Sequence, residues 1–184
     1  MSVTQKQVTF VTALIISLIV LDQALKLWVH ANIPLHSYID IAPFFKLSHQ
    51  QNPGMAFSMR FMPPVVQTIF RILASGAILA YLIHLIRKGT SLLMCTCLSL
   101  VFAGATGNII DNIFYDYLFY GGEFFKGKVV DMLYFPLIEG RFWNWIPWVG
   151  GEDFIFFSPV FNLADSAICV GVFLTLVFQK KLFQ

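Results

Sequence analysis

Residues 91–113, SLLMCTCLSLVFAGATGNIIDNI, decide the fold that this sequence can adopt. The segment is predominantly apolar and carries no charged side chain before Asp111. Its length is close to the ~20 residues that an α-helix needs to cross the hydrocarbon core of a bilayer. It therefore predicts a membrane-spanning helix whose polar residues gather at one end.

The composition of the whole chain agrees with a membrane location. Hydrophobic residues make up 58% of the 184 residues, charged residues make up 12%, and the mean hydropathy is +0.74. Soluble domains are about a quarter charged, so an ordinary soluble domain is excluded. The length fits one compact domain over residues 1–184. The net charge of +2 is too small and too scattered to indicate a nucleic-acid partner.

Four apolar segments are long enough for spanning helices. Lys6, Arg87-Lys88 and Lys180-Lys181 fall on one side of these segments, which the positive-inside rule makes cytoplasmic. We therefore expect both termini in the cytoplasm. The first segment continues through Asp22 and Lys26 with no small-residue cleavage site, which indicates a retained helix rather than a signal peptide. The predicted helices cover about 8–29, 65–86, 91–113 and 160–178, and the outer loops cover about 30–64 and 112–159.

The two outer loops differ in character. In the first, Ile41–His49 and Met55–Ser58 flank the turn signal Asn52-Pro53-Gly54, a pattern typical of short strands around a tight turn. The second contains FWNWIPW at 142–148, and tryptophan is favoured at headgroup depth. We expect this segment on the outer leaflet, as a membrane anchor or as a lid that faces substrate. The predicted fold is an all-α integral membrane protein with four transmembrane helices and a small β-structure in the first outer loop.

Polar residues within the predicted helices gather near the outer membrane surface. Gly104, Asn108 and Asp111 share one face of the third helix, where small residues admit a neighbouring helix and Asn108 can hydrogen-bond across the contact. Asp22 has Lys26 one turn later on its own face, so an ion pair and a contact to substrate or headgroup are both open alternatives. An aspartate at the centre of a spanning helix costs roughly 2.5–3.5 kcal/mol, which makes such acids functional candidates.

Asp131, in Val129-Val130-Asp131, and Asp165, in the segment FNLAD at 161–165, form a candidate catalytic pair. Two carboxyl groups a few ångströms apart cannot both ionise cheaply, so they share one proton. The ionised group can take a proton from water while the protonated group polarises a peptide carbonyl. A metal site is the other use of such acids, but the chain has no His-Glu-x-x-His or Cys-x-x-Cys run, so we expect no metal and no cofactor. His36 and His49 are interpreted as interfacial polar residues.

Nucleophilic cysteine or serine chemistry has little support. Cys95, Cys97 and Cys169 lie in predicted helices, where cysteine usually behaves as a small buried hydrophobe. The odd count, with no cysteine in the outer loops, indicates no disulfide framework. Ser58 and Ser158 lie in no Gly-x-Ser-x-Gly elbow.

Five motifs follow one another along the four-helix profile: Asp22-x-x-x-Lys26, Asn52-x-Gly54-x-Ala56-Phe57, Gly104-x-x-Gly107-Asn108-x-x-Asp111, Val129-Val130-Asp131 and Phe161-Asn162-x-Ala164-Asp165. In order and spacing this set resembles the bacterial lipoprotein signal peptidases, also called signal peptidase II, a family of intramembrane aspartic peptidases. The resemblance spans most of the chain.

The resemblance implies a multi-pass enzyme of the bacterial inner membrane, with its active site near the periplasmic face. Its substrates would be diacylglyceryl-modified prolipoproteins, cut on the amino side of the lipidated cysteine, and globomycin-type cyclic peptides would inhibit it. Asp131 and Asp165 would be the catalytic dyad, and the outer strands would form a cradle on the membrane surface. We expect a monomer, because no span has an obvious second seam of small residues. The residues implied to line or brace the site are Asp22, Lys26, Asn52, Gly54, Asn108, Asp111 and Asn162.

The chain also departs from the family pattern. Asn112 stands where the family usually has arginine, and Met132 stands where it has an aromatic residue. The stretches 115–126 and 135–158 look longer than the typical connections, which leaves the shape of the lid and the substrate preference open. A cationic contact at Asn112 is therefore absent or supplied from elsewhere, and the candidates are Arg60, Lys128 and Arg141.

A small proton-coupled transporter or channel subunit is the alternative function, with Asp22, Asp111 and Asp165 as a proton relay. That function predicts polar residues through the full depth of the membrane, whereas segments 11–20 and 91–102 carry no acid. A structural scaffold for a larger complex would explain the aromatic loop but not the convergent aspartates. The sequence therefore favours the peptidase.

Overall fold

Three long apolar helices form the framework of the described structure. The computed structural model describes residues 3–53 and 62–178. Within these ranges, three helices are long and apolar enough to cross a membrane: α1 (Val3–Asn32), α2 (Pro64–Arg87) and α3 (Leu92–Tyr120). A fourth apolar helix, α4 (Leu163–Val177), contributes 15 residues to the described part of the chain.

The helices present large apolar side chains on their outer faces. Leu73 of α2 is 67% exposed and Phe173 of α4 is 64% exposed, and Val20 and Leu21 of α1 are exposed as well. Soluble monomers rarely expose contiguous apolar surface on this scale, whereas a lipid environment favours it. These exposed faces are those of a multi-pass membrane protein.

Proline and serine define where two of the helices begin. Pro64 opens α2, and proline suits the first helical turn because the N–H that it lacks would have no acceptor within the helix. Ser91 caps α3, since its Oγ accepts a hydrogen bond from the Met94 N–H.

The third helix is longer than the sequence predicted. It continues past Ile113 to Tyr120 and ends at Gly121, whose φ of 65° is a left-handed conformation that glycine adopts readily. Asp111 and Asn112 interrupt the apolar run without interrupting the helix, so the hydropathy boundary and the helix boundary differ.

Strands from both long connections join in one four-stranded sheet. The prediction of β-structure in the first outer loop alone was incomplete, because strand pairing joins segments that are far apart in sequence. A separate antiparallel hairpin has its two strands on either side of the aromatic segment 142–148. The sheet has the order β1-β2-β3-β6, with β1 at Tyr38–Ala42, β2 at Phe45–Asn52, β3 at Val129–Tyr134 and β6 at Val160–Phe161, while β4 (Ile138–Arg141) and β5 (Asp153–Phe156) form the hairpin.

The strand boundaries differ from the predicted ones at two points. The turn between β1 and β2 lies at Pro43-Phe44, since Ala42 pairs with Phe45, and Asn52 is the last residue of β2. The strand predicted at 55–58 lies outside the described residues. The fourth helix begins at Leu163 rather than at 160, because Val160–Phe161 pairs with β3.

The chain divides into two compact units. The helical unit contains α2, α3, α4 and α1 as far as Leu25, and in it α3 packs against both α2 and α4. The sheet unit contains Lys26–Gln51 and Val130–Asn162, and in it the rings of Phe45 and Phe135 stack with centroids 4.7 Å apart. A buried cluster in the helical unit consists of Val11, Leu82, Ile86 and Cys95.

The cysteines occupy two different environments. Cys95 and Cys97 are buried in the helical unit, as expected for small hydrophobes. Cys169 of α4 is exposed, contrary to that expectation. All three are free thiols.

Glycines allow α4 to pack closely against α3. A Cβ added to Gly104 would meet the carbonyl oxygen of Ala164 and the Cγ1 of Ile168, and one added to Gly171 would lie 2.7 Å from the carbonyl oxygen of Cys97. The close approach that the sequence predicted at Gly104 is therefore confirmed. Because Gly104 lies next to Ala164, the first turn of α4 packs against the polar end of α3.

Replacement of Gly104 by alanine should destabilise the protein by about 1–3 kcal/mol, because the methyl group has no room against α4. Gly76→Ala in α2 is the matched control, since a Cβ there meets nothing within 4 Å and should be neutral or stabilising by up to ~1 kcal/mol. Thermal unfolding in detergent, followed by tryptophan fluorescence, measures both. Equal transition temperatures for the two variants would contradict the close packing.

Candidate active site

A buried carboxylate of α1 caps the amino end of α4. Asp22 is 2% exposed, and its Oδ1 accepts a hydrogen bond of 2.9 Å from the backbone N–H of Ala164. The first N–H groups of a helix have no acceptor within the helix, and the amino end of a helix favours negative charge. Asp22 therefore supplies from another helix the acceptor that α4 needs. The sequence offered two roles for Asp22, an ion pair with Lys26 or a contact to substrate or headgroup. Neither of these is the helix cap that the structure shows.

One amide connects Asp22 to α3. Nε2 of Gln23 lies 3.2 Å from Asp22 Oδ2, 3.0 Å from the Gly107 carbonyl oxygen and 3.0 Å from Asp111 Oδ1. Its Oε1 accepts a hydrogen bond of 3.0 Å from the hydroxyl of Tyr115. Gln23 is thus the donor that two buried carboxylates share.

Sequence reasoning missed both Gln23 and Tyr115. A polar glutamine beside Asp22 inside an apolar run, and a tyrosine one turn after Asp111, were the available signals. Gly107 belongs to the same arrangement, because a Cβ there would lie 2.8 Å from Asp22 Oδ2.

Two more of the predicted site residues are deeply buried. The side chains of Asp111 and Lys26 have no exposed surface. Buried charges persist in proteins when they are paired or hydrogen-bonded, and the bond from Gln23 to Asp111 is one such contact.

Asp165 lies in the first turn of α4 and is held by α3. Nδ2 of Asn108 donates to Asp165 Oδ1 at 2.8 Å. Asn108 shares its helix face with Gly104, and the close approach of α4 at Gly104 brings Asp165 within reach of the amide. The hydrogen bond across the helix contact that the spacing predicted for Asn108 is confirmed.

Asp131 is fixed in the sheet unit by a second asparagine. It lies in β3 and is 3% exposed. The β3–β6 pairing, in which Leu133 faces Phe161, brings Asn162 alongside it. Nδ2 of Asn162 donates to Asp131 Oδ1 at 2.8 Å and lies 3.3 Å from the Val130 carbonyl oxygen. Each aspartate of the candidate pair therefore accepts a hydrogen bond from its own asparagine.

The remaining predicted positions fall in different places. Asn52 ends β2 and is partly buried, and Gly54 lies outside the described residues. His36 is exposed beside Gln50, whereas His49 is buried and donates to the Ile33 carbonyl at 2.7 Å, so His49 is not the interfacial residue expected. Within 3–53 and 62–178, no group of three or more His, Cys, Asp or Glu side chains could hold a metal ion.

Comparison with known proteins gives this arrangement a family. A family model described as signal peptidase (SPase) II matches residues 14–180. The chain belongs to the signal peptidase II family. It is therefore a peptidase, in agreement with the enzyme class that the sequence predicted.

Relatives of signal peptidase II type match most of the chain. The lipoprotein signal peptidase of Porphyromonas gingivalis (strain ATCC 33277) is 44% identical over 183 residues, which covers 91% of this chain and 81% of the relative. That of Amoebophilus asiaticus (strain 5a2) is 38% identical over 179 residues, covering 90% and 75%. A bacterial membrane enzyme solved by the in meso method at 1.9 Å shares the fold, with a TM-score of 0.64 at 24% identity over 92% of this chain and 91% of that one.

The positively charged partner of Asn112 comes from α2, a helix that the sequence did not indicate. Arg71 of α2 donates through Nη1 to Asn112 Oδ1. Of the candidates from sequence, Arg60 is outside the described residues, Lys128 is exposed, and Arg141 donates to the Gly151 carbonyl oxygen. Sequence reasoning missed Arg71, although an arginine inside an apolar span is itself a signal of function.

Loss of the Tyr115 hydroxyl should weaken the network around Gln23. Tyr115→Phe removes one buried hydrogen bond and should cost about 0.5–1.5 kcal/mol of unfolding free energy. Tyr117→Phe is the control, because Tyr117 is 51% exposed and its change should stay within about 0.5 kcal/mol. Unfolding in detergent at a series of denaturant concentrations distinguishes the two, and equal midpoints would count against the network.

Proposed function

We propose that the chain removes signal peptides from diacylglyceryl-modified prolipoproteins in the bacterial inner membrane, with Asp131 and Asp165 as the catalytic dyad. Cleavage falls on the amino side of the lipidated cysteine. Membership of the signal peptidase II family carries the proposal, since relatives named lipoprotein signal peptidase cover most of the chain.

The asparagine contacts support distinct chemical roles for the two oxygens of each aspartate. Asn108 and Asn162 each direct an N–H at Oδ1, so that oxygen serves as an acceptor and a shared proton belongs on the other oxygen. Burial of Asp131 adds to this, because a dry carboxyl group holds a proton more readily than a hydrated one.

The reaction follows from one shared proton. The ionised carboxylate takes a proton from water as the water oxygen attacks the scissile carbonyl, and the protonated carboxyl group gives its proton to the carbonyl oxygen. The tetrahedral diol then collapses and the C–N bond breaks. The leaving amine takes a proton from the carboxyl group that gained one, and a diol hydroxyl returns its proton to the other carboxylate as the new carbonyl forms. The dyad ends with a single proton, as it began.

Chain connectivity supports the pairing of these two aspartates. Asn162 binds Asp131 and precedes Asp165 by three residues in the sequence. Three residues of extended chain reach at most about 10–11 Å. The short segment 162–165 therefore provides both the hydrogen-bond donor to Asp131 and Asp165 itself.

The proposed topology has four spans, both termini in the cytoplasm and the active site near the periplasmic face. The basic pair Arg87-Lys88 between α2 and α3 supports a cytoplasmic loop there. The exposed tryptophans of the 142–148 segment, with Trp148 98% exposed, suit the outer interface. This orientation puts the connection that carries Asp131 on the outer side, and it makes the first turn of α4, with Asp165, the outer end of that helix.

Neutralising either dyad aspartate should abolish peptidase activity without unfolding the protein. Asp131→Asn and Asp165→Asn should each lower kcat by at least ~10³-fold, because each removes a proton donor and acceptor. Asp153→Asn is the control, since its side chain is 89% exposed in the hairpin. Mass spectrometry of a lipidated precursor in detergent measures cleavage, and full activity of both single variants would overturn the dyad.

Reporter fusions should confirm the proposed topology. Alkaline phosphatase fused after Lys126 should be active, because the enzyme folds only outside the cytoplasm, and the same reporter fused after Lys88 should be inactive. A green fluorescent reporter should give the opposite pattern. Activity of the phosphatase after Lys88 would reverse the orientation.

A further inference from the structure

The β4–β5 hairpin of the sheet unit ends in a tip that carries no charge. The last pair of its two strands is Arg141 with Asp153, and Glu152 precedes Asp153. All three of these charged residues are exposed. The ten residues between Arg141 and Glu152, FWNWIPWVGG at 142–151, are uncharged. The hairpin therefore has a charged base and an uncharged end, which we call the aromatic tip.

The aromatic tip leaves its three tryptophans uncovered. Trp143 is 69% exposed, Trp145 is 73% exposed and Trp148 is 98% exposed. The rings of Trp143 and Trp145 lie beside each other, with centroids 5.9 Å apart. An indole is mostly apolar but has one N–H, so it is well accommodated at a membrane–water interface, where one end of the ring is dry and the other is wet.

Backbone hydrogen bonds close the aromatic tip on itself. The Gly150 N–H donates to the Ile146 carbonyl oxygen at 2.9 Å, and the Gly151 N–H donates to the Phe142 carbonyl oxygen at 3.0 Å. The Phe142 N–H donates to the Glu152 carbonyl oxygen at 2.9 Å. Backbone groups that leave water must be paired within the protein. The folded tip can therefore leave bulk water at a lower cost than an open loop of the same composition.

Trp148 is held in a backbone conformation that bulky residues rarely adopt. Its φ is 67°, in the left-handed region. Packing of the ring against the described residues does not offset this strain, because the side chain is almost fully exposed. Strained residues cluster at sites that contact ligands. A bare, projecting indole at this position is explained if its partner lies outside the chain.

A bilayer surface suits the aromatic tip better than a peptide does. Peptide recognition uses free backbone groups, charged clusters or shaped grooves, whereas the backbone of the tip is engaged in its own hydrogen bonds and the tip has no charge. An apolar patch rimmed by polar residues is typical of a membrane contact. The rim here is the exposed pair of Arg141 and Asp153, whose Nε and Oδ1 lie 3.9 Å apart. Charges of both signs match the phosphate and amine groups of zwitterionic lipids.

We propose that the aromatic tip is a membrane anchor, which inserts Trp143, Trp145 and Trp148 into the headgroup region of the bilayer and leaves the charged base of the hairpin at the aqueous edge. The expected depth is the ~5–10 Å that interfacial segments reach. The choice of the outer leaflet rests on the proposed topology, whereas the insertion itself is independent of the cleavage reaction. Of the two roles that the sequence left open for this segment, anchor and lid, the inference selects the anchor.

Tryptophan fluorescence in proteoliposomes tests the anchor. The chain has four tryptophans, and the fourth, Trp28, lies in α1. Trp28→Phe keeps an aromatic ring there and leaves only the tip to emit. In phosphatidylcholine brominated near the headgroup end of its acyl chains, the emission of this variant should fall by roughly half or more, because the indoles lie within ~5–10 Å of that level. Iodide in the aqueous phase should quench it weakly.

A charge placed on the tip provides the matched comparison. Trp28→Phe/Trp148→Glu should lose at least about a third of the quenching by brominated lipid, since a carboxylate resists transfer out of water. Trp28→Phe/Trp148→Leu keeps the tip apolar and should retain the quenching. Because Trp148 is 98% exposed, both changes should leave the stability of the fold within about 0.5 kcal/mol.

The outcomes separate the anchor from the lid and from the proposed function. Emission that brominated lipid leaves unchanged would overturn the anchor. If a lipidated precursor peptide then protected the tip from iodide, the tip would be a lid over substrate. Equal quenching in the Trp148→Glu and Trp148→Leu variants would also contradict insertion of the tip. Precursor cleavage by the same proteoliposomes is measured separately, so failure of the anchor leaves the peptidase standing, and failure of cleavage leaves the quenching result standing.

Discussion

The hydrogen bond from the Ala164 N–H to the buried Asp22 carboxylate is the contact on which the proposed site depends. An uncapped helix end in an apolar region would leave N–H groups without acceptors, at a cost of about 1–3 kcal/mol each. Asp22 removes that cost for one N–H and fixes where α4 starts. Because Asp165 lies in the first turn of α4, the position of the cap sets the position of the acid. A side chain at Gly107 would press on the same cap, since its Cβ would lie 2.8 Å from Asp22 Oδ2.

Neutral amides orient several of the acidic side chains in the described part of the chain. Gln23 serves Asp22 and Asp111, Asn108 serves Asp165, and Asn162 serves Asp131. An amide can direct a carboxylate without neutralising it, so the acid keeps its capacity to exchange a proton. Asn112 performs the complementary task when it accepts from Arg71. The pattern explains how several ionisable groups coexist in a chain of which only 12% is charged.

The sequence predicted the features that depend on local pattern. Apolar length identified the three long helices, and helical spacing identified the face that carries Gly104 and Asn108. Features that depend on distant contacts were not accessible, because the sheet joins strands from two connections and Arg71 reaches Asn112 from another helix. Gln23 and Tyr115 were missed for a different reason, since neutral polar residues give no strong signal of cost. The end of α3 at Gly121 was missed because hydropathy, rather than glycine, was used to set the boundary.

Amide hydrogen exchange at Ala164 tests the central claim most directly. In the wild-type enzyme the Ala164 N–H should be protected, because it donates to a buried carboxylate. In Asp22→Ala, exchange at Ala164 and the first turn of α4 should accelerate at least tenfold, with exchange in α2 unchanged and precursor cleavage lost in parallel. Unchanged protection at Ala164 in that variant would show that Asp22 does not hold α4 and would contradict the account.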